Sequence, residues 1–106
     1  MPKYLVAASY TAEGARGLLK EGGSARKSAV EKLIKAHGGK IEAFYFAFGP
    51  DDVFIIADVP DAATVAALSL AVSAAGGSHS RTIPLLSAEE IDAAAKKTVD
   101  FKPPGK

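Results

Sequence analysis

Residues 40–59 constrain this chain more than any other stretch. KIEAFYFAF at 40–48 holds three phenylalanines and a tyrosine in nine residues, too aromatic for a surface helix. Gly49-Pro50-Asp51-Asp52 is turn chemistry, and VFIIADV at 53–59 is apolar and rich in β-branched residues. Strand, turn and strand predict a hairpin. A sheet covered by helices on one face should alternate, with polar residues on its open side. Here Ala43, Tyr45 and Ala47 alternate with Phe44, Phe46 and Phe48, and Val53, Ile55 and Ala57 alternate with Phe54, Ile56 and Asp58. Neither set suits water. Both faces therefore need a cover, and a second copy of the chain is the simplest one for the second face.

The rest of the chain builds around that hairpin. Residues 3–10 (KYLVAASY) read as a first strand, and Thr11 caps helix formers over 12–19. Gly22-Gly23 interrupts, and Ser24 is placed to cap a stronger helix over 25–37. On that helix Val30, Leu33, Ile34 and His37 share a face, with Arg26, Lys27, Lys32 and Lys35 largely off it. Gly38-Gly39 stops it. Asp61 caps an Ala/Val/Leu run over 62–75, apolar on more than one side, that ends at Gly76-Gly77. A fourth strand follows at 79–86, with Pro84 pointing to a sheet edge. Ser87-Ala88-Glu89-Glu90 is a capping box opening a short helix to about Lys97. The order βαββαβ plus a last helix predicts an α+β, ferredoxin-like antiparallel sheet with helices on one face. One domain is expected over residues 1–97, and residues 98–106, with two prolines and no periodicity, form an arm or tail.

Composition narrows function by exclusion. The 106 residues include no cysteine, which removes disulfides, thiolate metal sites and cysteine nucleophiles. Thirteen basic against twelve acidic residues argues against a dedicated nucleic-acid binder. No apolar run approaches the ~20 residues of a membrane span, and the N-terminus is too polar for a signal peptide. A cytoplasmic protein without a cofactor, touching neither nucleic acid nor membrane, is the expectation. Charge is uneven: residues 1–41 carry eight bases and three acids, residues 42–61 five acids and no base. Solvated faces are the favoured reading of that asymmetry, with steering of an anion or a partner as the sharper one.

Few residues can carry chemistry. His37 lies in the last turn of its helix, where packing is the favoured role. His79 and Arg81 share a face of the fourth strand at a spacing of two. Over a cavity they would bind a carboxylate, and at a solvated strand end they would do nothing specific. Tyr10 and Tyr45 can offer hydroxyls to a cavity or sit as ordinary buried tyrosines. The two histidines lack ligand spacing, so no metal site is expected. Gly17 to Gly22 has a phosphate-loop frame, but Gly23 replaces the lysine and the run follows a helix, so a nucleotide site is rejected. Ser24 with Arg26 and Lys27 is a weaker anion site, and a plain helix break the favoured alternative. Asp51 and Asp52 are a turn pair first and an acid–base pair a distant second.

The stretches PKYLVAASYTAEGARGLLKEGG, FYFAFG, DDVFIIADVPD and PLLSAEEIDAAA resemble the GYD domain family, over nearly the whole chain from about Pro2 to Lys97. The family is named for a glycine–tyrosine–aspartate motif between the second and third strands. Gly49 and Asp52 match its outer positions, but Pro50 and Asp51 stand between them and the tyrosine is missing. The resemblance implies a dimeric α/β-barrel assembly, in which two ferredoxin-like subunits pack their sheets face to face. It implies no reaction. Two functions stay open. One is a pocket between sheet and helices for a small organic ligand, acidic if Arg81 receives it, with Tyr10, Tyr45, His79 and Arg81 as binding residues. The other is a non-catalytic interaction or assembly module with no ligand site.

Overall fold

The computed structural model describes residues 2–106. Four strands, β1 (Lys3–Tyr10), β2 (Lys40–Phe46), β3 (Val53–Asp58) and β4 (Ser78–Leu85), form one antiparallel sheet in the order β2-β3-β1-β4. Four helices accompany them: α1 (Ala12–Glu21), α2 (Gly23–Ala36), α3 (Ala62–Ala75) and α4 (Ala88–Ala95). The fold is α+β and compatible with the ferredoxin-like plan. β4 lies at an edge, where the missing N–H of Pro84 breaks no inner ladder.

Local chemistry sets the boundaries. The Thr11 side chain accepts from the Gly14 N–H (3.1 Å) and donates to the Gly76 carbonyl (2.9 Å), tying the start of α1 to the α3–β4 turn. Asp61 caps α3 through the Thr64 N–H, and Ser87 with Glu90 closes the expected capping box on α4. Two expectations are corrected. The N-cap of α2 is Gly22, not Ser24, because the chain turns there with φ +87°, a conformation glycine adopts without strain. β2 ends at Phe46 instead of 48: one further hairpin bond follows, from the Ala47 N–H to the Asp52 carbonyl, and the chain then enters the turn.

The pleat sorts the sheet into two faces. Tyr4, Val6, Ala8 and Tyr10 of β1 turn toward α2 and α3, with Phe44 of β2 and Val53, Ile55 and Ala57 of β3. This face holds the core, and Ala57 is only 2% exposed. No helix contributes a fully enclosed residue: Val30, Ile34 and Val65 are only partly buried against the core. The helices therefore stand off the sheet rather than sealing it. Leu5 and Ala7 of β1, Phe54 and Ile56 of β3, Tyr45 of β2, and Ile83 of β4 occupy the opposite face. Beyond β4 every residue from 86 to 106 is exposed, including Ile91, Val99 and Phe101. That arm lengthens the molecule to 55 × 33 × 23 Å and gives a radius of gyration of 16.9 Å. A compact chain of this length would have a radius of about 13 Å.

Candidate functional site

The gap between sheet and helices is a chamber of about 120 Å³. Its floor is Val6, Ala8 and Ile55, its roof Val30, Ile34, Val65 and Leu68. One wall is polar: Ser78, Ser80 and Thr82 alternate along β4, and the Thr82 hydroxyl lies 3.3 Å from that of Ser69 on α3. At the end of β1 a second, outer cleft of about 450 Å³ opens between α1, α2 and the C-terminal half of α3. Tyr10, Arg26, Leu33, Val72 and Ser78 border both spaces, so they form the neck between them.

Among the described residues Arg26 is the one cation lining either space, and Glu21 the one carboxylate. They face each other across the α1–α2 break at 4.0 Å, both partly exposed, a geometry worth well under ~1 kcal/mol. Burial pushes the Tyr10 hydroxyl above its ordinary pKa, and the neighbouring Arg26 guanidinium only partly opposes that shift. At neutral pH Tyr10 is therefore a hydrogen-bond donor beside a fixed positive charge. The β2–β3 turn secures β1 from the other side: the Tyr10 N–H donates to Asp52 Oδ2 (2.8 Å), and the Asp52 N–H donates to the Ala8 carbonyl (2.8 Å). Gly49 in that turn has φ +150°. The acid pair of this turn thus works structurally, Asp52 on β1 and Asp51 on Arg81.

The four expected site residues do not meet in one pocket. Tyr10 alone borders the chamber. Tyr45, His79 and Arg81 sit on the opposite, open face and are exposed, because the register pairs Tyr45 with Phe54, His79 with Ser9 and Arg81 with Ala7. The Arg81 guanidinium donates to Asp51 Oδ2 at 2.8 Å, at a solvated strand end and not over a cavity. His79 and Arg81 thus lie outside both spaces, and the polar side chains at the neck between them include Tyr10 and Arg26. The helical pattern sets Arg26 largely off the apolar face of α2, yet it stands four residues before Val30 and eight before Ile34. That spacing, followed one turn further toward the N-terminus, was the signal that would have found it. His37 is exposed at the end of α2, with Nδ1 2.9 Å from the Leu33 carbonyl. Among the described residues no group of three His, Asp or Glu side chains is placed to hold a metal ion.

The open face is apolar at its centre and charged at both ends. Arg81–Asp51 marks one end, and the other carries Lys3, which bonds Glu42 and Asp58 (3.1 Å to Asp58). Those two carboxylates raise the Lys3 pKa, Glu42 being the stronger cause. Between the ends Tyr45 is 71% and Phe54 36% exposed.

Neither the curated proteins nor the solved structures yield a match to this chain. A family comparison does: the GYD domain model matches residues 4–95, which takes in all of the sheet but Lys3, both spaces at the Arg26 neck and the last helix. With most of its 106 residues so matched, the chain belongs to the GYD domain family.

Proposed function

We propose that this protein binds a small organic acid between its sheet and helices, with the anionic group on Arg26 and the Tyr10 hydroxyl. The observation that carries this reading is the neck itself: one guanidinium and one protonated phenol at the junction of two otherwise mainly apolar spaces. A mostly apolar cavity with a few convergent polar groups is the usual form of a small-molecule site. Arginine supports a two-pronged contact with a carboxylate that few other side chains can offer. Protein isolated from its own cells and sprayed under native conditions should carry an acidic co-purifying molecule. Arg26→Gln protein prepared in parallel should lose it. Wild-type protein free of any ligand, and inert toward a panel of organic acids, would overturn the proposal.

A second reading has its own observation, the exposed apolar centre of the open face. We propose that a second copy of the chain covers it, sheet against sheet, with the charged ends as rim. An interface of this type needs at least ~1,200 Å² of buried surface, and a four-stranded sheet face with aromatic side chains is of the right size. If the cleft proves empty, this assembly role is what the fold retains. Sedimentation at tens of micromolar should find a dimer, and a clean monomer would refute it.

A further inference from the structure

The chamber and the neck together limit what the acid can be. An apolar cavity of roughly 150 Å³ accommodates a benzene ring; the chamber here is smaller, about 120 Å³, with Val6, Val30, Ile34 and Val65 facing the hydroxyls of Ser80 and Thr82, so one six-membered ring is its upper limit. Its charge balance is equally narrow, since among the described residues Arg26 is the only cation lining either space and Glu21 stands on the outer side of the neck. We infer that the ligand is a monocarboxylate whose body is no larger than one six-membered ring, seated ring-first in the chamber with its carboxylate on Arg26 and Tyr10. This rests on the organic-acid reading above and adds size, charge and orientation to it.

Each limit follows from a neighbour. A straight chain much longer than the chamber would have to double back past Arg26 into the outer cleft. A second carboxylate would either enter the chamber, where it meets neutral hydroxyls but no cation, or face Glu21 in the cleft. Glu21 is the group the ligand displaces. Glu21 neutralises Arg26 only loosely, at 4.0 Å, and a carboxylate at the neck would replace that long contact with a closer one. Removing the Glu21 charge should therefore help the ligand rather than harm it.

The test is titration of the full chain, followed by NMR, with benzoate, cyclohexanecarboxylate, terephthalate, octanoate and benzyl alcohol. Benzoate and cyclohexanecarboxylate should bind and shift the methyl signals of Val30, Ile34 and Val65. Benzyl alcohol should bind at least about tenfold more weakly, the loss of one charge-assisted hydrogen bond, and terephthalate more weakly than benzoate. Arg26→Gln should weaken benzoate by a similar factor, and Glu21→Gln should tighten it by up to about fivefold. Should Arg26→Gln fail to fold, the Glu21→Gln effect and the ranking of ring over chain still decide. Octanoate or terephthalate binding more tightly than benzoate, with loss in Arg26→Gln, would overturn the size and charge limits while leaving the organic-acid reading intact. No binding by any of the five acids and alcohols would overturn the inference, and an acid larger than one ring recovered from native protein would then separate its failure from that of the reading beneath it.

Discussion

Toward the helices, β4 presents Ser78, Ser80 and Thr82; toward the open side it presents Ile83 together with His79 and Arg81. A self-sufficient monomer would arrange its edge strand the other way, apolar inward and polar outward. The hairpin shows the complementary oddity. Phe44 is buried against the core, while Tyr45 and Phe54, on the opposite face of the same two strands, meet solvent. Hydroxyls inside and aromatics outside have one physical meaning in common: each face is unfinished as it stands. The inner face lacks enough apolar volume to fill the space beneath α2 and α3, and the outer face lacks a cover. A small molecule is the completion we propose for the first, and a second chain the one we propose for the second.

The sharpest way to break this comparison is to truncate one aromatic on each side of the hairpin. Phe44→Ala removes a buried ring that packs edge-on against Phe46 with centroids 5.3 Å apart. It should cost about 3–5 kcal/mol in urea unfolding, independent of protein concentration. Phe54→Asp should behave differently: little change in the unfolding of an isolated subunit, but loss of the dimer in sedimentation. If Phe54→Asp stays dimeric, the open face is not the contact and the contrast between the faces loses its meaning.

Next in size is the anchor between α1 and the α3–β4 turn. Thr11→Ala removes an N-cap acceptor and the donor to the Gly76 carbonyl, and should cost about 1 kcal/mol. Gly14 sharpens the same point, since a Cβ there would sit 1.9 Å from the Gly77 carbonyl oxygen, so Gly14→Ala must push α1 away from β4. Because α1 forms one side of the outer cleft, both changes should also weaken acid binding, measurable in the same titrations. Smaller still is the effect of Arg81→Ala. The Arg81–Asp51 pair has a 65% exposed guanidinium and is worth less than ~1 kcal/mol in a free subunit. A larger loss, growing with protein concentration, would show that a partner chain covers this end of the face.

How far the sequence could be read depended on the range of the forces involved. Caps and stops were legible because they are local: Thr11, Asp61 and the Ser87–Glu90 box act within three residues of themselves. The two-sided apolarity of the hairpin was legible for the same reason, as alternation is a property of the strand alone. The site was not. Whether His79 and Arg81 face the helices or the solvent depends on the β1–β4 register, which no pattern in a strand of mixed character such as SHSRTIPL can settle. Arg26 carries only a weak signal in the sequence alone, because a charge near an apolar helical face is normally solvated. It meets Tyr10 only because the chain breaks at Gly22 and brings the ends of α1, α2 and β1 together.

The smallest expected effect concerns acid and the helix that roofs the chamber. Asp61 caps α3, and its carboxylate accepts from the Thr64 N–H at 2.8 Å; that bond holds its pKa below the ordinary 3.8. A carboxyl group depressed in the folded state stabilises the fold above its unfolded value and ceases to do so as pH falls through the folded one. The contribution is thus complete at neutral pH and fades only below about pH 4. Asp61 is fully exposed, so the effect is small, and it belongs to one helix instead of the whole domain. Amide exchange should locate it: on acidification the first turn of α3 should lose protection before β1 and β3 do. Asp61→Asn keeps a side-chain acceptor for Thr64 but cannot titrate, so it should flatten that pH dependence while leaving neutral stability nearly unchanged. Equal acid sensitivity of α3 in the Asn variant would show that something other than this cap holds the roof in place. If instead the cap is responsible, acid binding at the Arg26 neck should weaken in step with the loosening of α3, because Val65 and Leu68 line the chamber from that helix.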